Sequence, residues 1–179
     1  WLLTDSGSSV MSNTIDGGFQ VLTGAGSFAA SGLEMNDIDM FDFNQSWMIF
    51  TIIVNNVKAE VDSIAVGFSE TGRFDGAGNN AAVLRSGAAL TNFELRTING
   101  AGAQTNTDTG ETIDENLHTW KIETLSSSVV ISLDGVVVGT SSTNLPAGKM
   151  QPIIGLRKIT GGGGTIISLN VRYVEVKNT

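Results

Sequence analysis

Two β-branched runs, Val129-Val130-Ile131 and Val136-Val137-Val138, flank Ser132-Leu133-Asp134-Gly135, and no other pattern in the chain constrains its fold as tightly. Side chains branched at Cβ lose rotamer freedom in a helix and pack well on a pleated strand. Asp-Gly is the pair that accepts positive φ at both central positions of a type I′ turn, whose twist matches that of two antiparallel strands. Residues 128–140 are therefore predicted to form a hairpin.

Similar signals recur along the chain at short intervals. Residues 46–54 are apolar at nearly every position, as in a central strand covered on both faces. Residues 92–98 alternate, with Phe93, Leu95 and Thr97 facing opposite to Glu94 and Arg96; residues 117–125 place His118, Trp120 and Ile122 on one side. Strands are also expected at 63–68, 82–85, 153–159 and 165–177. Residues 14–23 turn around Asp16-Gly17-Gly18, and 32–43 carry Leu33, Met35, Ile38, Met40, Phe41 and Phe43 among acids. Pro146 and Pro152 are expected to flank a connection, and Gly161 to Gly164 to form a turn. Residues 99–116, nearly free of apolar side chains, are expected to be a long loop. Helical spacing of apolar residues is missing. The 179 residues, 41% of them hydrophobic, are enough for one continuous core, and no linker or repeat divides them. The expectation is a single all-β domain over 1–179: a two-sheet antiparallel sandwich of the jelly-roll kind, with Trp47, Phe50 and Trp120 filling the space between the sheets.

From about Phe41 onward, this order of signals resembles the concanavalin A-like lectin/glucanase superfamily. Phe43-Asn44-Gln45-Ser46-Trp47 opens a long apolar strand, and Leu117-His118-Thr119-Trp120-Lys121-Ile122 looks like the superfamily's His-and-aromatic strand. The Asp134-Gly135 hairpin follows, and Leu169-Asn170-Val171-Arg172-Tyr173-Val174-Glu175-Val176 closes the domain. The resemblance implies a jelly roll similar to those of lectins, laminarinases, secreted adhesion modules and phage virion surface proteins.

Residue chemistry narrows the function. A formal net charge of −8 with only ten scattered Lys and Arg argues against nucleic-acid binding, which depends on clustered cations. No apolar run reaches the ~20 residues of a membrane-spanning helix. With no Cys and one His, a conventional zinc site is not available, and neither is a thiol nucleophile. No Gly-x-Ser-x-Gly elbow accompanies His118, which is expected to be structural. The superfamily's glucanases carry Glu-x-Asp-x-x-Glu; the nearest stretch here is Asp37-Ile38-Asp39-Met40-Phe41-Asp42, with shorter acids at its ends and a position too early in the chain. The expectation is accordingly no enzyme and no catalytic residues.

Ligand binding is the remaining chemistry. Asp75, Asn79 and Asn80 sit in a glycine-rich loop and offer carboxylate and amide oxygens, the ligand types calcium takes. Asn106 and Asp108, with Glu111, offer a second set, and Phe74 is the one candidate aromatic platform for a sugar. No cofactor is expected beyond calcium in these loops. Two functions are carried forward. The first is a non-catalytic structural or adhesion module, a decoration or appendage domain on a virion or secreted assembly. It would sit at an extracellular or virion surface, with protein partners and self-association into a homo-oligomer. The second is a glycan-binding, lectin-like domain assisted by calcium; a glycoside hydrolase is a distant third.

Overall fold

The computed structural model describes residues 2–5, 10–13, 18–22, 30–34, 41–55, 61–70, 80–87, 90–158 and 168–178. Its strands are β1 (Leu2–Asp5), β2 (Val10–Asn13), β3 (Phe19–Leu22), β4 (Ala30–Glu34), β5 (Phe41–Asp42), β6 (Ser46–Asn55), β7 (Val61–Ser69) and β8 (Ala81–Ser86). They continue as β9 (Asn92–Ile98), β10 (Gln104–Thr112), β11 (His118–Leu125), β12 (Ser128–Leu133), β13 (Val136–Ser141), β14 (Lys149–Lys158) and β15 (Ser168–Asn178). Among the described residues a single 3-10 turn, Phe43–Gln45, interrupts them.

Pairing is antiparallel throughout the described strands and produces two sheets. The first runs β1-β4-β14-β7-β8-β9-β10, with β5 beside β14; the second runs β13-β12-β11-β6-β15-β3-β2. The expected two-sheet jelly roll is therefore present. Alternation aims Phe68, Leu84, Phe93, Leu95, Ile154 and their neighbours from the first sheet at Met48, Phe50, Ile52, Trp120 and Ile122 from the second, and these form one buried core.

The hairpin is as predicted: Asp134 and Gly135 adopt φ of 48° and 86°, the signs a type I′ turn requires. Other expectations need correction. The segment taken as a long loop contains the nine-residue strand β10. Its inward positions are Thr105, Thr107 and Thr109; the methyl groups of Thr107 and Thr109 lie toward Gly139, and the hydroxyls of Thr105 and Thr109 bond Thr143 and the Phe93 carbonyl, so period-two burial exists without apolar residues. Pro152 lies inside β14 rather than before it. It sits where that strand exchanges β5, paired through Met150, for β4, paired from Ile153, so the absent N–H falls at a break in the ladder. Trp47 is not in the core. Its neighbours Met48, Phe50, Ile52 and Val54 take the inward positions of β6, and Trp47, Ile49, Thr51 and Ile53 form a half-exposed outer face. The strand is covered on one side, not two. Of the stretch 32–43, residues 32–34 belong to β4 and 41–42 to β5, and 35–40 lie outside the described residues. The turn at Asp16-Gly17, the run Gly161 to Gly164, and Asp37 and Asp39 lie outside the described residues.

Candidate functional site

Polar side chains concentrate on the outward face of the first sheet at its β8-β9-β10 end. Phe93 and Leu95 face the core, so Asn92, Glu94 and Arg96 must face away from it. Register then fixes their neighbours: Glu94 is opposite Arg85 on one side and Asp108 on the other, and Arg96 is opposite Asn106. Arg85 Nε lies 3.6 Å from Glu94 Oε2. Arg96 Nε donates to Asn106 Oδ1 at 3.0 Å. The Asn92 amide donates to both carboxylate oxygens of Asp108 at 3.0 and 3.2 Å, and Gly110 N–H adds a third bond at 2.8 Å. Two guanidinium groups, two carboxylates and two amides are thus held across three strands with fixed orientations.

Burial is graded across this face. Asn106 and Asp108 are exposed on the edge strand, while the side chains of Arg85 and Glu94 retain only 17% of their accessibility each. Farther in, Ala65, Ala81, Val83, Ile98 and Ile153 form a second buried apolar cluster on the side of the sheet away from the main core. The polar row therefore borders dry surface on one flank and water on the other. Hydrogen bonds are stronger where water is partly excluded.

Of the residues singled out in the sequence, Asn106 and Asp108 belong to this row. Asn80 does not: it is buried and acts as a brace, donating to Glu70 Oε2 at 2.8 Å and accepting from Ala147 N–H at 3.0 Å. Phe74, Asp75 and Asn79 lie outside the described residues. Among the described residues no three His, Cys, Asp or Glu side chains come close enough to hold a metal ion. Arg85, Glu94 and Arg96 were missed as site residues, although the alternation of 92–98 already placed two of them on an outward face.

His118 lies in the second sheet, away from this row. Its Nε2 is 2.9 Å from Asp114 Oδ1 and its Nδ1 is 3.6 Å from Asp134 Oδ2. Asp134 also accepts from Thr119 N–H at 3.0 Å and donates its own N–H to Thr119 O at 2.8 Å. The imidazole thus links the β12–β13 turn to the turn before β11, a structural task. Burial alone pushes the Asp114 carboxyl upward, but bonds from the Asn116 backbone and amide, together with His118, outweigh it and hold the group below its usual range. Asp42 is exposed beside the 3-10 turn, its carbonyl accepting from Ser46 Oγ at 2.6 Å. No helix among the described residues is long and apolar enough to cross a membrane.

No protein-family model and no curated protein matches the chain. Solved structures do. An endo-beta-1,4-glucuronan lyase from the fungus Trichoderma reesei superposes with a TM-score of 0.70 at 12% identity, covering 99% of this chain and 90% of that one. The Bacillus licheniformis beta-glucanase gives 0.65 at 13% identity, covering 99% and 92%. A botulinum neurotoxin type C structure, concerned with cell entry through two ganglioside molecules, gives 0.63 at 11% identity; it covers 98% of this chain but 42% of the toxin chain. The fold is a concanavalin A-like jelly roll, as the sequence signals implied. One expectation is overturned. The chain was expected not to be an enzyme, yet the scaffold it shares is that of a polysaccharide lyase and a glucanase, so a missing Glu-x-Asp-x-x-Glu stretch does not exclude catalysis. These likenesses lend nothing to a virion decoration role.

Proposed function

We propose that the chain is a carbohydrate-directed domain that binds a glycan along the outward face of β8, β9 and β10. One observation carries the proposal: Arg85, Glu94, Arg96, Asn106 and Asp108 form a continuous row of fixed donors and acceptors on one sheet face. A sugar hydroxyl both donates and accepts. Guanidinium groups supply only donors, carboxylates only acceptors, and amides both, so the row matches a hydroxyl-rich chain lying across the strands. Its side chains are already ordered by one another, which lowers the entropy lost on binding. Two positive and two negative groups balance locally, which favours neutral glycans over polyuronates on a chain of net charge −8. The glucanase likeness is consistent with such a ligand. The proposal includes an extracellular or particle-surface setting, where glycans of this kind are met.

The test is affinity electrophoresis against neutral β-glucans, glucuronan and alginate. Retardation by a neutral glucan, weakened at least tenfold in Arg96→Ala and in Asp108→Ala with unchanged unfolding midpoints, supports the reading. No retardation by any polymer, or retardation indifferent to both variants, overturns it.

A second reading draws on one specific feature. Glu94 and Asp108 are directly opposed across β9 and β10, and paired Cβ atoms are about 4.5–5.5 Å apart. Retaining glycosidases use carboxyl groups about 5–5.5 Å apart, a separation within reach of acidic side chains on opposed Cβ atoms, while here Glu94 Oε2 lies 3.6 Å from Arg85 Nε. Release of reducing ends from a bound glucan, lost in Glu94→Gln, would establish hydrolysis.

A further inference from the structure

The outer face of the second sheet carries an arrangement with no part in the site above. Trp47 on β6 is flanked by Glu123 of β11 and Lys177 of β15; two residues along, Ile49 is flanked by Lys121 and Glu175. The charges therefore form a checkerboard around an apolar centre. Acid and base alternate both across the strands and along them. Lys121 Nζ reaches Glu123 Oε2 at 3.0 Å and lies 5.9 Å from the centre of the Trp47 ring. Trp47 and Ile49 are half-exposed, while Glu175, which accepts from the Tyr173 hydroxyl, and Lys177 are exposed. The face continues to Tyr173, which keeps 49% of its accessibility, and to Val137, which keeps 60%.

We infer that this face is where a second copy of the chain docks, forming a two-fold symmetric dimer with the second sheets stacked. The checkerboard is self-complementary. A half-turn about an axis along β6 sets Glu123 over Lys177 of the second copy and Lys121 over its Glu175. A half-turn about the perpendicular axis in the same plane sets Glu123 over Lys121 of the second copy and Glu175 over its Lys177. In both cases the apolar centre meets an apolar centre. An isologous interface requires a patch complementary to itself, and an unrelated partner would not need this symmetry. The extent is adequate only if the whole face is used: β11, β6 and β15 run for eight to eleven residues and β13, β12, β3 and β2 for four to six, which at about 4.8 Å between strands and about 3.4 Å per residue offers roughly 800 Å², near the ~800 Å² per partner of a standard interface.

Sedimentation of the full chain across a concentration series tests this. Reversible dimerisation is expected, with Lys121 and Lys177 losing reactivity to amine acylation as the dimer forms. Glu123→Lys with Glu175→Lys makes the four charges alike and is expected to weaken association by roughly a hundredfold or more. Reversing all four, with Lys121→Glu and Lys177→Glu added, restores self-association but prevents mixed dimers with the original chain. Circular dichroism confirms the fold of each variant. A chain that stays monomeric throughout, a dimer unaffected by the double substitution, or a four-fold reversal that fails to associate overturns the inference. Unchanged acylation of both lysines in the dimer does the same without any mutation.

Discussion

Trp120 of β11 meets Phe93 of β9 edge to face, with ring centroids 5.1 Å apart and planes inclined at 64°. The contact joins the two sheets at the centre of the core, since both residues are exposed to 1% or less. Edge-to-face pairs add about 0.5–1.5 kcal/mol to the stabilisation from area burial. Trp120→Ala is expected to cost about 3–5 kcal/mol, measured as a shift in the urea midpoint. Trp120 Nε1 is buried without a hydrogen-bond partner. Trp120→Phe should therefore cost clearly less than the alanine variant, because it removes an unsatisfied donor along with some packing.

Gly67 lies within β7 at φ +150°, where a Cβ atom would sit 2.3 Å from Ala82 O and 2.9 Å from Val83 Cα. Both obstacles are backbone of the neighbouring strand, so no side chain can rotate away. Gly67→Ala must push β7 from β8 under the second apolar cluster. A loss of about 3 kcal/mol or more is expected by equilibrium denaturation, a large cost for one methyl group.

At Gly135 the obstacle is of another kind. A Cβ there meets nothing within 4 Å, yet φ is +86°. Only the backbone conformation resists substitution, so Gly135→Val should cost about 1–2 kcal/mol. Gly135→Asn, which tolerates the left-handed region, should recover part of it. Equal midpoints for the valine variant and the original chain would contradict the turn geometry.

The Asp114–His118 contact gives a pH dependence with a definite sign. Asp114 is held below its usual 3.8: burial raises it, but Asn116 and His118 lower it by more. A carboxyl depressed in the folded state stabilises above its unfolded value and loses that contribution as pH falls through the folded value. The window therefore lies below about pH 4. Asp114→Asn should narrow the stability difference between pH 7 and pH 3, read from urea midpoints at each.

Much of the fold could be read locally, and the exceptions share a cause. Asp134-Gly135 and the alternation of 92–98 are properties of neighbouring residues, and both are found as expected. Trp47 faces outward because Met48 and Phe50 take the inward positions, a choice made by how β6 packs between β11 and β15. An apolar run alone does not carry that parity. The site shows the same limit. Asn106 and Asp108 stood out by residue type, and the outward aspect of Glu94 and Arg96 followed from alternation. Their union, with Arg85 completing the row, depends on strand register. Register between strands is set by pairing across the chain, and no local pattern states it.

The strand hidden in 99–116 yields the last expectation. Thr109 is buried on β10 and its Oγ1 donates to Phe93 O at 2.8 Å, while also accepting from Glu111 N–H at 3.2 Å. Valine would keep the shape and the methyl packing but strip both bonds, leaving a buried carbonyl beside the Trp120 contact without its donor. Thr109→Val should cost about 1–3 kcal/mol. Thr107, half-buried and packed through its methyl toward Gly139, should tolerate valine within about 0.5 kcal/mol. Thermal unfolding of the two variants side by side separates the roles. A Thr107→Val loss as large as that of Thr109→Val would mean that β10 is held by side-chain shape, and that the hydroxyl bond to β9 contributes nothing.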